Sequence, residues 1–562
     1  MSDIMKPMPF EQIIRRMLQE YAMHGSIFNV GKIQKVQKSD ANEIFGETLE
    51  LPVGIAAGPH TQLAHNIVAD YAAGARFLEL KTVQIMYGEE LGIPKPCIRA
   101  DDECYNTEWS SEFRADRARD EYIKAWFACK VLAKELELGD PDGFIFNMSV
   151  GYNLEGIQTE LVNSFIDGLM NAEDLAMFQH CKSVLLSMLP DFNHVDEAFI
   201  EGISPKICRS MTLSTMHGCP PEEIEAIATY LLKEKHIHTY IKCNPTLLGY
   251  EMVRDILDQM GFDYITFGRE QFIHDLQIEQ ALPMIRRLME LAEREGLTFG
   301  VKLTNTFQVE IHNQELPGDA MYMSGKALYP LSIHVAKVLS AAFAGKLPMS
   351  FSGGADKNNI QDLYAAGIWP ITVCTVLLRP AGLENMFQLS KLLMDAEKKE
   401  DLFTDMEAIG ELADGVLGNK RFIKSDKARE KYDKHESYHG VHSPSYRCRV
   451  LCKNCVRVCP NRTNEILSLP DGDIILHIDG LCNECGNCQY FCVEPCIPYQ
   501  DRITLFPSVD LLIDSKNRGF VLEGTDFTYR WEDTVATGGY EDLPAPLKEV
   551  YDAIKVQHPY LL

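Results

Sequence analysis

Residues 51–84 read LPVGIAAGPHTQLAHNIVADYAAGARFLELKTVQ: two apolar, β-branched runs (51–57 and 76–83), each closing on a motif rich in functional groups, AAGPH (56–60) and KTVQ (81–84). Such a run reads as a strand buried on both faces, and its recurrence along one chain reads as βα units around a parallel sheet. The pattern continues outward. Further strands are predicted at 144–150, 207–214, 238–243, 263–267, 299–304, 347–352 and 369–374, with helical patterns such as 115–136, 220–235, 250–260, 277–295, 331–344 and 385–398 between them. That makes nine strands for an eight-stranded barrel, so one belongs to an excursion. A (β/α)8 barrel gathers its functional groups where strands end. The ends NMSVGYN (147–153), STMHGCPP (214–221), KCNPT (242–246), KLTNT (302–306), SGGAD (352–356) and CTVLL (374–378) all have that character. A doubly wound dinucleotide-binding sheet is the competing class, but no G-x-G-x-x-G follows a strand and no P-loop occurs.

The chain has 562 residues, with 54 basic and 81 acidic side chains and a net charge of −27. More than one domain is expected at this length. A surface so negative repels phosphate backbones and anionic lipid, which disfavours nucleic-acid and membrane-surface binding. No apolar run approaches the length of a membrane span. The N-terminal MSDIMKPMPFEQIIRRMLQEY reads as an amphipathic helix and not as an export signal, so a cytoplasmic location is expected. The predicted organisation is an N-terminal helical segment (1–50), the barrel (51–420), a charged linker (421–447), a cysteine-rich domain (448–500) and an extension with β-like alternation (501–562).

Of seventeen cysteines, eight are scattered before residue 448 and nine fall between Cys448 and Cys496. In a reducing compartment so dense a group points to metal binding. Cys448-x3-Cys452-x2-Cys455-x3-Cys459-Pro is followed by Cys482-x2-Cys485-x2-Cys488-x3-Cys492, and the second run has the spacing by which bacterial ferredoxins hold [4Fe–4S] clusters. In two-cluster proteins the fourth cysteine of each run serves the other cluster. That joins Cys448, Cys452 and Cys455 with Cys492, and Cys482, Cys485 and Cys488 with Cys459. The x3 gap after Cys448 departs from the usual pattern, and Cys496 is left over as an alternative to Cys492. Zinc also takes four thiolates, but zinc ribbons use two separated C-x2-C pairs, a form neither run has. The predicted fold is thus an α/β TIM-type barrel with a C-terminal two-[4Fe–4S] ferredoxin-like domain, able to pass single electrons.

The strand-end motifs KTVQ, KLTNT, MSGKALYPLS, SGGAD and VCTVLL resemble those of the flavin-dependent dihydroorotate and dihydropyrimidine dehydrogenases. A denser resemblance is to the YgfK-like family, carried under the label selenate reductase iron–sulfur subunit. It runs from SDIMKPMPF and SIFNV through AAGPHTQLA, ELKTVQI, CIRADDECYNTEWS, FIFNMSVGYNLEGI, TLSTMHGCPPEEIEAI, NPTLLGY, FGVKLTNT and MYMSGKAL to SGGADKNNI. The resemblance implies FMN in the barrel mouth. Residue chemistry agrees: Gly353, Gly354, Cys374 and Thr375 offer backbone N–H groups to a phosphate at the last two strand ends. Ala56, Ala57 and Gly58 are small enough to let backbone approach a flavin ring. Ser324 and Gly325 look like the further phosphate loop of the dehydrogenase pattern, and Lys81 and Thr82 match the family's contacts near the isoalloxazine. Asn147, Asn305 and Thr306 are polar strand-end groups for flavin or substrate edges. One basic residue near flavin N1 stabilises the anionic reduced flavin. Lys242 in IKCNP and Lys302 in VKLTN both qualify because the surplus strand leaves the register open, with Lys302 slightly preferred.

In dihydropyrimidine dehydrogenases a cysteine on the loop after the fourth strand exchanges the proton. By resemblance that residue is Cys219 in His217-Gly218-Cys219-Pro220, with His217 as the alternative acid. A thiol before a helix N-terminus stands where thiolate is stabilised. Cys97, Cys104, Cys129, Cys181, Cys208 and Cys243 lack ligand spacing and read as packing residues. The expected activity is hydride transfer from FMN to an electron-poor oxo-heterocycle: urate or a related oxopurine of anaerobic purine breakdown first, a pyrimidine such as uracil second. Selenate reduction and a non-catalytic electron-transfer role are the remaining readings. Longer members of the family carry an FAD and NAD(P)H module that this sequence does not show, which implies a separate donor, an NAD(P)H-linked flavoprotein subunit or a ferredoxin docking near residues 448–496, and an oligomeric assembly.

Overall fold

The computed structural model describes residues 5–36, 40–86, 88–107, 110–214, 218–430 and 442–562. Eight parallel strands close into a barrel in sequential order: β1 (Val53–Ile55), β2 (Phe77–Glu79), β3 (Ile145–Val150), β4 (Cys208–Leu213), β5 (His238–Cys243), β6 (Phe299–Leu303), β7 (Met349–Phe351) and β8 (Ile371–Val373). Every residue of β1, β2, β3 and β6 is buried, as strands covered by helices outside and side chains inside must be. The surplus strand is 263–267. It forms no ladder there; it buries Ile265 and Phe267, the latter ring packed against Phe272 and Phe307. Its apolar pattern therefore reports burial, and burial alone does not make a strand.

A second, four-stranded sheet lies outside the predicted pattern. It joins Phe307–Glu310, Ala320–Met323, Tyr105–Asn106 and Ile98–Arg99, drawn from the excursions after β6 and after β2. Two of its strands have only two residues, too short to leave a period in sequence.

The N-terminal helix Phe10–His24 buries Phe10, Ile13, Ile14 and Met17, the i, i+3, i+4, i+7 stripe of an amphipathic helix. It ends at Gly25, whose φ of 65° lets its N–H turn back to the Tyr21 carbonyl. Residues 42–44 and 47–49 then form a hairpin, so the first fifty residues are not helical throughout.

The C-terminal region is a six-stranded mixed sheet: β9 (Asn464–Leu469), β10 (Gly472–Ile478), β11 (Ile503–Leu505), β12 (Gly519–Glu523), β13 (Asp526–Trp531) and β14 (Thr534–Gly538). β10, β11 and β12 pair in parallel and the flanking pairs are antiparallel. The boundary predicted at residue 500 thus runs through one sheet, and the strands beyond it complete the layer that Leu467, Leu476, Phe520 and Phe527 build against Leu547, Val550 and Ile554 of the helix Ala545–Gln557. The first cysteine run precedes β9, and the second loops out between β10 and β11. Part of the predicted linker, 431–441, lies outside the described residues.

The two regions are joined by buried charge. Arg16 and Glu465 are each 1% exposed and paired, and Arg16 also donates to Glu20 at 3.3 Å. Removing one partner of such a group strands the others without water, at a cost of about 3–5 kcal/mol. Arg16→Met should therefore lower the unfolding midpoint in denaturant sharply, and adding Glu465→Gln should recover part of the loss; a variant as stable as the parent would show that the pair does not hold the regions together.

Candidate functional site

One buried carboxylate organises the barrel interior. Glu79 at the end of β2 takes Lys302 of β6 at 2.6 Å, Thr212 of β4 at 3.4 Å and Thr372 of β8 at 3.5 Å. These four side chains come from alternate strands, the arrangement in which barrel interiors fill layer by layer. Lys302 also donates to Thr372 at 2.6 Å, Asn147 of β3 to Thr212 at 2.9 Å, and the Ala57 N–H to Glu79 at 3.3 Å. Burial lowers the Lys302 pKa to about 8 against the pull of Glu79, and Lys242 lowers it further. Burial also lowers Lys242, again opposed by Glu79. Glu79 accepts a hydrogen bond from Lys302 and attracts Lys242 only through space.

Above this layer, at the C-terminal ends of the strands, opens a cleft with about 1040 Å³ of free space including its mouth. Ala56, Ala57, Gly58, Lys242, Asn305, Thr306, Ser324, Gly325, Gly354, Cys374 and Thr375 line it, so eleven of the residues expected there are brought together. Lys302, Asn147, Lys81, Thr82 and Gly353 are buried behind its wall: Thr82 bonds Ser149 at 2.7 Å, and the Lys81 carbonyl accepts the Tyr122 hydroxyl at 2.9 Å. Of the two lysines left open by the sequence, Lys242 faces the cleft and Lys302 is locked beneath it.

The glycines act differently from expectation. The N–H groups of Gly353 and Gly354 already donate to the Leu303 and Ser352 carbonyls, at 3.1 and 2.9 Å, and are spent. Gly354 instead permits close approach: at φ +83°, a Cβ there would stand 2.3 Å from the Gly325 carbonyl. Ser324 closes the same corner, 3.0 Å from the Thr375 hydroxyl.

Sequence reading missed several lining residues. Ile98 and Asn106 arrive on the short-stranded sheet with Cys104 just before it, and Lys326, Leu378 and Arg379 border the cleft from the short 3-10 turns Gly325–Ala327 and Thr375–Leu378 and the residue after the latter. Lys326, Arg379 and Lys424 converge on Asp102, with Arg379 at 3.0 Å. Burial pushes the Asp102 carboxyl up, but the three cations outweigh it and hold it below the usual range. Cys104, read from the sequence as a packing residue, is a cleft residue whose thiol burial pushes up to about 11.

Cys219 stands on the loop after β4, outside the residues that line the cleft, and His217 lies outside the described residues. The Gly218 N–H donates to Asp275 at 2.6 Å. Burial, with Glu223 and Asp275 nearby, pushes the Cys219 thiol up to about 11. The thiolate expected at this helix start is therefore disfavoured, first by burial and then by the two carboxylates, and a protonated thiol remains.

The cysteines fall into two groups. Burial and the neighbouring Cys492, Cys448 and Cys452 push Cys455 up to about 12. Burial raises Cys482 and Cys488, with Cys459 the next contributor in both; Cys485 and Cys482 act on Cys488 as well, and Cys455 of the first group reaches it last. Cys496 lies 3.4 Å from Cys492, sulfur to sulfur, and receives a hydrogen bond from Arg502. The two runs repeat each other's geometry. Lys453 and Gly486, at φ 62° and 82°, precede one-turn helices that begin at Asn454 and Asn487. The Asn454 amide donates to the Phe491 carbonyl at 3.1 Å, and the Asn487 amide to the Val458 carbonyl at 2.9 Å. Each asparagine so holds the residue before the other run's fourth cysteine. Among the described residues no three His, Cys, Asp or Glu side chains converge as ligands of a single metal ion.

The second group abuts the cleft wall. The Cys97 and Ile98 N–H groups both donate to the Cys485 carbonyl at 2.9 Å, Asn487 donates to the Leu378 carbonyl at 2.8 Å, and Cys97, Ile98, Cys104, Leu378 and Cys485 pack as one apolar cluster.

Lys302→Met leaves Glu79 buried without its cation and should cost about 3–5 kcal/mol, whereas Lys242→Met should cost much less; equal losses in thermal unfolding would contradict the division of roles. Peptide-resolved alkylation of Cys219 by iodoacetamide should keep accelerating from pH 8 to 10, and a plateau by pH 8 would show a thiol less shifted than its surroundings require.

Over residues 28–424 the chain matches the family described as "Oxidoreductase YgfK, N-terminal TIM-barrel domain". The proteins named "Putative oxidoreductase YgfK" from Escherichia coli K12 and Escherichia coli O157:H7 are each 47% identical to it over 447 residues. That alignment takes in 77% of this chain and 43% of theirs, so the chain spans less than half the length of these relatives. Among solved structures, DHODH of Eimeria tenella in complex with ferulenol aligns with a TM-score of 0.39 and 15% identity, over 73% of this chain and 96% of that one. Among the described residues no helix is long and apolar enough to cross a membrane.

Proposed function

Because the chain belongs to the YgfK family of oxidoreductases, whose barrel domain it carries, we propose that it is a flavin- and iron–sulfur-dependent reductase of an oxo-heterocycle, with urate or a related oxopurine as the substrate. A single observation supports this reading above the others: the cysteine group of residues 459–488 and the cleft share a wall, through Cys485, Ile98 and Leu378.

The residues present fit both groups. A flavin ring needs a flat approach to backbone, and Ala56, Ala57 and Gly58 provide it at the end of β1. Its phosphate would meet Ser324, Gly325 and Thr375, with Lys326 and Arg379 supplying the positive charge that the spent N–H groups of Gly353 and Gly354 do not. Lys242 brings a cation to the cleft, which favours an anionic ligand there. Two sets of four thiolates, each completed by a cysteine of the other run, suit two [4Fe–4S] clusters. A cubane is wider than one ion, so its ligands stand farther apart than those of a mononuclear site. FMN would supply hydride transfer and the clusters single-electron transfer.

Proton delivery falls to the chain itself. Cys219, protonated at neutral pH, is the assigned acid on the loop after β4. Cys104 is a second protonated thiol, inside the cleft.

Anaerobically purified protein should contain flavin and iron, and after reduction its flavin absorbance should return on mixing with urate. Return with uracil alone would make the substrate a pyrimidine, and return with selenate alone would restore the selenate reading. Protein without flavin overturns the proposal. Cys219→Ala should keep the flavin spectrum and slow turnover by about 10²-fold or more; an unchanged rate removes Cys219 and leaves Cys104 as the acid.

A further inference from the structure

We propose that the face carrying Cys448, Cys452 and Cys492 is the docking surface for an acidic one-electron carrier protein; this rests on the cluster reading above and goes beyond it by naming the surface and the partner's chemistry. The first observation is charge. In a chain of net charge −27, residues 447–464 contain Arg447, Arg449, Lys453, Arg457 and Arg462 and no aspartate or glutamate. Arg449 is exposed and Lys453 half-buried, neighbours in sequence of Cys448 and Cys452; Arg457 is exposed where its backbone meets Gly382 of the barrel side, and Arg462 is buried. Arg447 stands 3.9 Å from both Asp471 and Glu549 at the edge of this face and is partly neutralised.

The second observation is apolar exposure. Val450 and Val493 are each 56% exposed, among the few large hydrophobic side chains left so open. They belong to different cysteine loops, and the Arg449 N–H joins those loops by donating to Glu494 at 2.8 Å. Glu494 in turn faces Arg502 at 3.4 Å, so its charge is spent inward. An exposed apolar centre with a basic rim is the anatomy of a protein contact.

The third observation is depth. Of the first group Cys448, Cys452 and Cys492 are half-buried and Cys455 is buried; of the second Cys482 is half-buried and Cys459, Cys485 and Cys488 are buried, with Cys485 packed on the cleft wall. The two groups are therefore an outer and an inner station between solvent and cleft. A partner docking at Val450 and Val493 meets the outer one.

Against a chain of net charge −27 an acidic carrier is repelled on balance, so a locally basic face both attracts and orients it. Each docking would pass one electron from a reduced carrier to the cluster that Cys448, Cys452, Cys455 and Cys492 would hold. Two dockings would supply the two electrons that reduction of a substrate double bond consumes, with one proton taken up from solvent when the flavin is reduced and the second given by the acid of the site already described.

The test uses the anaerobic holoprotein and reduced flavodoxin, an acidic one-electron carrier, in stopped flow. Cluster bleaching by flavodoxin should slow about tenfold or more between low and high salt. Arg449→Glu should slow it at low salt, and Arg449→Gln should fall between the parent and that variant. Iron content and bleaching by dithionite should be unchanged in both variants. If clusters are present and dithionite bleaches them, but flavodoxin fails to reduce the parent protein or reduces the Glu variant equally fast, the docking surface is wrong and the cluster reading stands. Protein that holds no iron overturns the cluster reading and the docking surface with it.

Discussion

Glu79 is the constraint on which the barrel and its cleft depend. A carboxylate that is 1% exposed must be met by partners, and here they come from the end of β1 and from β4, β6 and β8, so one side chain ties together strands distant in sequence. A barrel interior is more often filled by branched aliphatic side chains. A polar layer in that place costs desolvation and returns geometry. It fixes Lys302, and by taking only one of two lysines it leaves the other, Lys242, as the cation of the cleft. The chemistry expected of the site is thus set one layer below it.

The same economy governs the boundary between the regions. Arg16 against Glu465, His65 against the Asn461 carbonyl at 3.0 Å, and Cys97 and Ile98 against the Cys485 carbonyl are all buried contacts between the barrel side and the cysteine region. Buried polar contacts hold one relative placement because any other leaves their groups unpaired. A loosely tethered electron-transfer domain would not spend them. The contacts at Cys485 fall on the strand that forms the cleft wall, so the placement they fix is that of the inner cysteine group against the cleft.

Much of this was legible in the sequence, for identifiable reasons. The eight barrel strands show because strands buried on both faces must be continuously apolar, and their polar ends show because the barrel exposes that face to chemistry. Burial without a ladder misled the reading at 263–267, where Ile265 and Phe267 pack inward from irregular chain. The sheet over the mouth was invisible: its two-residue strands carry no period, and the Asn106–Tyr322 pairing spans the length of the barrel. Cys104, Lys326 and Arg379 were missed with it, since a side chain delivered by an excursion has no strand-end motif to mark it. The roles of Gly353 and Gly354 were misjudged because sequence shows where glycine occurs and not where its N–H points. The cysteine grouping follows from spacing, but the reciprocal hold of Asn454 and Asn487 is a tertiary fact.

That reciprocal hold bears on why the cysteine runs need the sheet at all. One-turn helices are too short to persist alone, and the asparagine bonds that brace them run from each run to the other, so neither run is set until both are. The hairpin of β9 and β10 lies between them in sequence and brings their ends together. β11 then carries the chain away from the second run, parallel to β10, on the far side of the hairpin. The sheet is therefore the frame that converts two separated sequence motifs into one paired site. It does so with Cys448, Cys452 and Cys492 half-buried and Cys485 against the barrel, which is the order the proposed path for electrons would follow.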